Sequence, residues 1–528
     1  MEFAGRTLFS LGKACQGIGG VTPTVVLGPG RGSVKSVMNS LKDILSGVSV
    51  ALVLIPGSMA YADLAGLPPE YGWISAIVAP IAASFFTSSP ILQTGPTALA
   101  ALLTFSTIAP LAEEGSQEFI LFAALLALSI GIVRIIIGFF GGGWISYLLS
   151  RPVLDGFTSA AGVLIVSSQL PVVLGVQREG ESVLRGAITS LGSLGTWDVS
   201  TIMVSSMTVL IVLGFRRVHV LIPGILMATV LGIMYSRVSG YTGATIGEID
   251  VGIPLPSLAL PWTQMHLLIL PSIVIAVVSF AEVAAISSKY AKMERISWNP
   301  DREFISQGAA NLAAGLFGGF PVGGSFVRSS LNYSSGARSR LSGFVAGLVV
   351  LLCVPFAGVL TELPRAVLGP IVITAALPLI QFRFLTYLWA VAPLQAGVSW
   401  TTFVLTLVLS PHVEQAVLLG TLAAVSVHIW RELSPSCESW AEGDSIHVRL
   451  SGVLWFGSAA FIQEAINETL PLNPRARRFI IDLTGVGRVD FTGALALKEF
   501  RDEAAESGIQ VELVGIPDHA GKILGRVS

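Results

Sequence analysis

Charged residues are distributed very unequally along this 528-residue chain, and that distribution limits what it can fold into. Residues 1–431 contain 41 Lys, Arg, Asp and Glu residues, whereas the 97 residues of 432–528 contain 23. A typical soluble domain is about 25% charged, so the first part is far too poor in charge to present a water-facing surface. The pattern predicts an integral membrane protein with a soluble C-terminal domain, and it excludes a cytosolic enzyme, a nucleic-acid-binding protein and a disordered chain.

The charge-poor part contains apolar stretches that are long enough for membrane helices. Crossing a hydrocarbon core of about 30 Å takes roughly 17–25 residues of helix. With shorter and broken stretches included, the sequence predicts an all-α membrane domain over 41–431 with about fourteen membrane elements: 43–61, 71–88, 96–110, 119–140, 153–174, 198–215, 218–236, 266–288, 303–317, 322–332, 341–360, 366–380, 397–410 and 412–430.

The loops between these elements predict the orientation, because cytoplasmic loops carry an excess of Lys and Arg. With residues 1–40 placed in the cytoplasm, 16 of the Lys and Arg residues of 1–431 fall on the cytoplasmic side. Four fall on the other side: Arg178, Arg185, Arg237 and Arg365. Both termini are therefore predicted to be cytoplasmic, in a plasma or inner membrane. The basic composition of residues 1–40, with one acid, also allows a transit peptide.

Two of the elements, 96–110 and 322–332, are short and follow Gly- and Pro-containing turns. They are third and tenth in order, seven apart, which is the arrangement of discontinuous helices in transporters built from two inverted repeats. Free N–H groups at two facing helix starts would attract an anion. The alternative is that these Gly and Pro residues only permit close helix packing.

Charged side chains inside apolar segments are costly and therefore informative. Arg328 lies in the short tenth element and is predicted to bind the anion; the alternatives are a structural pairing with a carboxylate or snorkelling to an interface. Glu282 is the one acid in an apolar run and could take up and release a proton, or simply pair with Arg328. Arg134 and Asp155 lie nearer predicted helix ends, and we expect structural roles for them.

Other functional classes lack support in the sequence. The three cysteines are far apart, and the histidines share no metal-ligand spacing. Catalytic motifs do not occur in a credible context, so we expect no enzymatic activity, no cofactor and no metal site.

Three motifs together resemble the sulfate permease (SulP) family of anion transporters, which includes the animal anion exchangers and prestin. Residues 55–62 (IPGSMAYA), with 65–72 following, resemble its first-helix signature. Gly95-Pro96-Thr97-Ala98 resembles the turn before its third helix, and residues 318–332 resemble the turn before its tenth.

The resemblance implies two inverted seven-helix repeats, a core domain that shifts against a gate domain in an elevator motion, and a homodimer. It places the anion between helices 3 and 10, with helix 1 alongside. The matching binding residues are Gly57, Tyr61, Thr97, Ala98, Ser325, Phe326, Val327 and Arg328.

This chain departs from the family pattern in ways that affect recognition and coupling. Gly57 replaces a common glutamine and Val327 a common serine, so fewer side chains can hydrogen-bond the anion. Glu282 matches the family's eighth-helix acid and is predicted to couple transport to protons. Sodium is less favoured, because Ile286 stands where sodium-coupled relatives carry a hydroxyl. The predicted function is proton-coupled symport of sulfate, bicarbonate or a dicarboxylate, with an exchanger or channel-like conductor as the alternative.

The tail, 432–528, alternates between strand and helix patterns: strands at 446–450, 478–483 and 509–514, and helices at 459–470 and 492–507. It resembles the sulfate transporter and anti-sigma factor antagonist (STAS) domain, ending before that domain's usual last elements. Thr492 matches a phosphorylated serine of related antagonists and is a candidate regulatory site. A simpler explanation makes Thr492 the N-cap of its helix.

Overall fold

The computed structural model describes residues 31–147, 150–177, 182–218, 223–241, 243–249, 252, 255–433, 436–455, 477–506 and 508–527. The membrane part is helical, as predicted. Its helices in chain order are α1 (Arg31–Leu64), α2 (Pro69–Phe86), α3 (Ala98–Ile108), α4 (Gln117–Phe139), α5 (Arg151–Leu174), α6 (Val183–Gly192), α7 (Val199–Val218), α8 (Gly224–Ser239), α9 (Met265–Glu294), α10 (Pro300–Leu316), α11 (Phe326–Ser334), α12 (Leu341–Cys353), α13 (Arg365–Ala376), α14 (Phe382–Val391), α15 (Pro393–Val408) and α16 (Val413–Leu433).

All fourteen predicted membrane elements coincide with a helix. Within the part of the chain that the structure describes, eight helical segments are long and apolar enough to cross a membrane. The number of actual crossings stays a prediction. The structure adds two helices to the predicted set, α6 and α14. Both are ten residues long, and in α14 Arg383 sits among aromatic and apolar residues, so the segment does not register as an apolar run. Residues 381–391 are therefore mostly helix rather than the predicted loop.

The two short elements are the feature of the fold that matters most for function. Helix α3 has 11 residues and α11 has nine, so neither could cross a membrane alone. Each follows a two-residue strand, β1 (Thr94–Gly95) or β2 (Gly323–Gly324). The two strands pair antiparallel, Thr94 opposite Gly324 and Gly95 opposite Gly323. The predicted pair of half-helices is thus confirmed.

Packing around these half-helices involves helices from both halves of the chain. Helix α10 packs against α4 and α2, and α1 packs against α2 and α12. Some of these contacts bring backbones together: a Cβ on Gly72 of α2 would overlap the Ser58 carbonyl oxygen of α1. Only glycine permits that approach, which fixes how α1 and α2 cross.

The tail forms an α/β unit, as predicted. Strands β3 (Ser436–Glu442), β4 (Ser445–Leu454), β5 (Arg478–Val489) and β6 (Gln510–Val514) form one sheet in that order. The β3–β4 pair is antiparallel, and the β4–β5 and β5–β6 pairs are parallel. Helices α17 (Phe491–Glu506) and α18 (Asp518–Val527) pack with the sheet. The helix predicted at 459–470 lies outside the described residues.

The N-cap of α17 differs from the prediction. Asp490, not Thr492, caps the helix: its Oδ1 accepts a hydrogen bond from the Gly493 N–H at 2.7 Å. The helix begins at Phe491, which puts Thr492 inside the first turn with its side chain exposed. A residue with helical backbone geometry cannot serve as the cap, because the capping residue flanks the helix.

Candidate functional site

The antiparallel β1–β2 pair sets two helix starts against each other. Helix α3 begins three residues after Gly95, and α11 begins two residues after Gly324. Each strand leads directly into its helix and the two strands are paired, so the N-termini of α3 and α11 lie close together at the pair. Because the strands are antiparallel, the chain leaves the pair in opposite directions. A Cβ on Gly323 would lie 3.6 Å from the Thr97 hydroxyl oxygen, so the second turn directly faces the first helix start.

Both helix starts are capped in the same way and leave backbone donors free. Thr97 accepts a hydrogen bond from the Ala100 N–H, and Ser325 accepts one from the Arg328 N–H. The N–H groups of the first two residues of each helix have no hydrogen-bond partner among the described residues. These groups belong to Ala98, Leu99, Phe326 and Val327. Four such donors, reinforced by two helix dipoles, make a site for negative charge.

Arg328 places a fixed cation at this junction. Its side chain is 3% exposed, and its Nη1 donates to the Pro96 carbonyl oxygen at 2.8 Å. Its Nε and Nη2 are buried and have no hydrogen-bond partner among the described residues. The Nη2 group points towards Gly95, where an added Cβ would lie 3.4 Å away. Two unpaired guanidinium donors in a buried place are costly unless a ligand binds there.

Glu282 and Tyr61 lie near this cation without bonding to it. Arg328, Glu282 and Tyr61 are close enough to interact electrostatically. Glu282 nevertheless forms no ion pair with Arg328 and no hydrogen bond with the described residues. The structure therefore does not show the permanent pairing with Arg328 that the sequence left open as the alternative role of Glu282.

The remaining predicted residues contribute in different ways. Gly57 of α1 faces open space: within 4 Å, an added Cβ would meet only the Tyr61 ring, at 3.9 Å. Phe326 and Val327 are 40% and 41% exposed, so their side chains do not enclose the site, and they contribute through their N–H groups. Thr492 belongs to the C-terminal domain, and the structure does not bring it to this site.

Sequence reasoning did not identify the contacts that hold the second turn in place. The Val322 carbonyl oxygen accepts hydrogen bonds from Arg134 Nη1 at 3.3 Å and Asn311 Nδ2 at 3.0 Å, and its N–H donates to Asn311 Oδ1. Arg134 also donates to the Ala276 carbonyl oxygen and the Ser279 hydroxyl of α9. Arg134 is fully buried rather than near an interface, but the structural role predicted for it agrees with these contacts.

A signal for these partners was present in the sequence. Gln307 and Asn311 are four residues apart, so they share one buried face of α10. Gln307 Nε2 donates to the Thr94 hydroxyl at 2.8 Å, at the start of β1. One helix face thus fixes both turns, through Gln307 for the first and Asn311 for the second.

Comparison with known proteins identifies the family of this chain. Residues 41–402 match the profile of the Sulfate permease family. The chain belongs to the sulfate permease family. Residues 441–526 match the STAS domain, so both predicted domains are confirmed as to type. Members of the family are transporters and not enzymes, and the chain is accordingly a multi-pass membrane transporter of anions.

Individual relatives of this sulfate permease family member span most of its length. A probable sulfate transporter of Mycobacterium tuberculosis is 34% identical over 400 residues, which cover 73% of this chain and 69% of that protein. A sodium-independent sulfate anion transporter of Bos taurus is 27% identical over 515 residues, or 90% of this chain and 83% of that protein. The structure of the murine solute carrier 26 family member A9 anion transporter superposes with a TM-score of 0.83 at 21% identity, covering 92% of this chain and 87% of that one. That likeness concerns the fold.

Proposed function

We propose that the chain is a secondary active transporter that carries a small oxyanion together with protons. The observation that carries this proposal is the pair of unpartnered guanidinium donors of Arg328, buried between two facing helix starts. A site with free N–H donors, a fixed cation and few side-chain acceptors favours a ligand that only accepts hydrogen bonds. An inorganic oxyanion has that chemistry.

Sulfate is the first candidate for the anion. Four backbone N–H groups and two guanidinium nitrogens could each donate to an oxygen of a tetrahedral dianion. Gly57 has no side chain and Val327 an apolar one, so neither position adds a side-chain hydrogen bond. The names of the mycobacterial and bovine relatives also point to sulfate. Bicarbonate and small dicarboxylates offer fewer or more widely spaced oxygens and remain the alternatives.

Glu282 supports proton coupling. An ionised Glu282 would offset the charge of Arg328 and repel an incoming anion, since like charges in a membrane interior interact strongly. Protonation removes that repulsion, so anion and proton binding would favour each other. A sodium ion would need additional oxygen ligands, and the position one turn after Glu282 is the apolar, buried Ile286. The bovine relative is named sodium-independent.

The contacts of the site favour movement of the carrier elements as one body. Hydrogen bonds tie α2 to the turn before β2 through Ser75 and Phe320, and α4 and α10 to the same turn through Val322. Helix α9 is joined to this group through Arg134 of α4, which donates to the Ala276 carbonyl oxygen. A rigid core of this kind suits an elevator shift against the other helices. We propose this motion together with a homodimeric assembly and cytoplasmic termini in a plasma or inner membrane.

Uptake by proteoliposomes tests the proposal. Purified full-length protein should accumulate radiolabelled sulfate when an inward proton gradient is imposed, and an inward sodium gradient should have no effect. In Glu282→Gln, the proton gradient should no longer stimulate uptake, because the side chain cannot change its charge. The matched control is Glu414→Gln, which removes another buried membrane carboxylate away from the site and should retain stimulation.

The alternatives give different results in the same vesicles. An exchanger would take up sulfate only when a counter-anion is loaded inside, with or without a proton gradient. A channel-like conductor would give a current that follows voltage alone and does not saturate with sulfate. Either result would overturn proton symport, while leaving anion binding at Arg328 intact.

A further inference from the structure

A second basic cavity lies away from the transport site. It has a volume of about 390 Å³ and is lined by residues from three places in the chain: the segment after α2, the segment that leads into α10, and the segment between α11 and α12. Arg302, Arg338 and Arg340 face it, and its lining contains no carboxylate. We propose that this cavity binds a phosphate group, supplied by the head group of an anionic phospholipid.

The arginines in this cavity keep unused donors. Arg302 Nε donates to the Phe86 carbonyl oxygen at 2.8 Å, and Arg340 Nη1 donates to the Phe85 carbonyl oxygen at 3.0 Å. These are the last two residues of α2, where the helix dipole favours cations. Neither guanidinium group forms an ion pair or a second hydrogen bond with the described residues. Each guanidinium is thus held at one nitrogen and open at the others.

Arg338 differs from the other two, because part of its charge is already balanced. Its Nη1 forms an ion pair with Glu294 at 2.9 Å. The cavity therefore offers two uncompensated cations and one that is paired. Guanidinium groups match the geometry of phosphate oxygens, and two of them are enough to bind one phosphate group from two sides.

The walls of the cavity are held in place by two buried carboxylates that lie behind them. Glu303 accepts hydrogen bonds from the Thr87 hydroxyl, the Ser88 N–H and hydroxyl, and the Ser89 N–H. Asp43 accepts from the N–H groups of residues 338 and 339 and from the Ser339 hydroxyl. Both carboxylates thus accept hydrogen bonds from the segments that form the cavity wall. The lining is thereby preorganised, and a ligand need not order it.

The surroundings of the cavity favour a lipid as the source of the phosphate. Phe85 and Phe86 are 62% and 46% exposed, and Leu341 directly follows Arg340 with 36% of its surface exposed. A phospholipid can bind such a surface with its acyl chains on the exposed apolar side chains and its head group in the cavity, near the unused arginine donors. The predicted topology places this end on the cytoplasmic side, where basic pockets between helices bind anionic lipids.

Lipid competition on the purified full-length protein tests the proposal. Native mass spectrometry would compare retention of phosphatidylglycerol and phosphatidylcholine by the wild type and by Arg302→Gln/Arg340→Gln. Near a membrane surface each arginine contributes about 1 kcal/mol, or roughly fivefold, to anionic lipid binding. The preference for phosphatidylglycerol should therefore fall about 25-fold in the double variant.

Matched variants separate this site from general surface charge and from misfolding. Arg216→Gln/Arg217→Gln removes two exposed arginines from α7 on the same predicted side and should keep the preference. Arg302→Lys/Arg340→Lys keeps the charge and should keep most of it. If inorganic phosphate stabilises the wild type but not the glutamine variant, and lipid retention is unchanged, the phosphate site stands with a soluble source. If neither ligand distinguishes the wild type from the glutamine variant, the proposal is wrong.

Discussion

The strongest test of the transport site is the removal of the Arg328 guanidinium by substitution with methionine. Nε and Nη2 are buried and free to donate two charge-assisted hydrogen bonds to the anion. Such bonds contribute about 1.5–3 kcal/mol each. Their loss should weaken sulfate binding by about 3–6 kcal/mol, which is at least 100-fold in Kd because 1.4 kcal/mol is tenfold.

Folding should survive this substitution. The variant loses the hydrogen bond from Nη1 to the Pro96 carbonyl oxygen, at a cost of about 1–3 kcal/mol. It also removes a buried charge that is costly in the empty site, by several kcal/mol. The two effects oppose each other, so the thermal midpoint of the ligand-free protein should change little. Arg328→Lys keeps the positive charge but lacks the planar guanidinium group, and it should bind sulfate about tenfold more weakly than the wild type.

The measurement is isothermal titration calorimetry of sulfate against purified protein, with a thermal melt of each variant. Sulfate should raise the melting temperature of the wild type and leave that of Arg328→Met unchanged. A Kd for Arg328→Met within threefold of the wild-type value, in a protein that melts normally, would refute the assignment of Arg328 to the anion.

Three further predictions concern close packing and the C-terminal domain. Gly72→Ala should give no folded protein, as judged by size-exclusion chromatography, because the added Cβ would overlap the Ser58 carbonyl oxygen. Gly57→Ala has open space for its Cβ and should fold, with a change in sulfate affinity only. Asp490→Ala should increase amide hydrogen exchange in the first turn of α17, since a lost N-cap costs about 1 kcal/mol; unchanged exchange would argue against the cap. Hydrogen bonds from Thr484, chiefly from its hydroxyl, lower the pKa of Asp482 to about 2. The contribution of Asp482 to the stability of the folded domain is therefore present above the unfolded pKa and is lost as pH falls towards 2. In Thr484→Val, a carboxyl-carbon NMR titration should show a higher pKa for Asp482, and an unchanged midpoint would contradict this cause.

The sequence predicted the membrane helices and the two half-helices because both depend on local composition. An apolar run must become helix in lipid, and a Gly- and Pro-containing interruption leaves a short one. Helix α14 escaped prediction because its ten residues are too few for a membrane crossing and include the charged Arg383. Thr492 was assigned the wrong capping role because Asp490 and Thr492 are both good caps, and only the backbone shows which one precedes the helix.

The site itself was predicted as a set of residues but not as an arrangement. Sequence motifs placed Arg328, Glu282 and the two helix starts together. They could not show that Arg328 keeps two donors free, or that Glu282 forms no ion pair with it, since both facts depend on side-chain geometry. Asn311 escaped altogether, and for Arg134 only a structural role was predicted and not its partner, because both side chains bind the backbone of Val322 in the second turn.

The two-residue strands β1 and β2 have a consequence for how the protein is made. They are more than 200 residues apart, and the contacts around them, such as Arg328 with Pro96, also join distant halves of the chain. During synthesis the first half-helix therefore enters the membrane with its turn unpaired and must stay so until α11 has been inserted. Anion binding cannot begin before that moment, and two halves of the chain expressed as separate polypeptides should each be unable to bind sulfate until they meet.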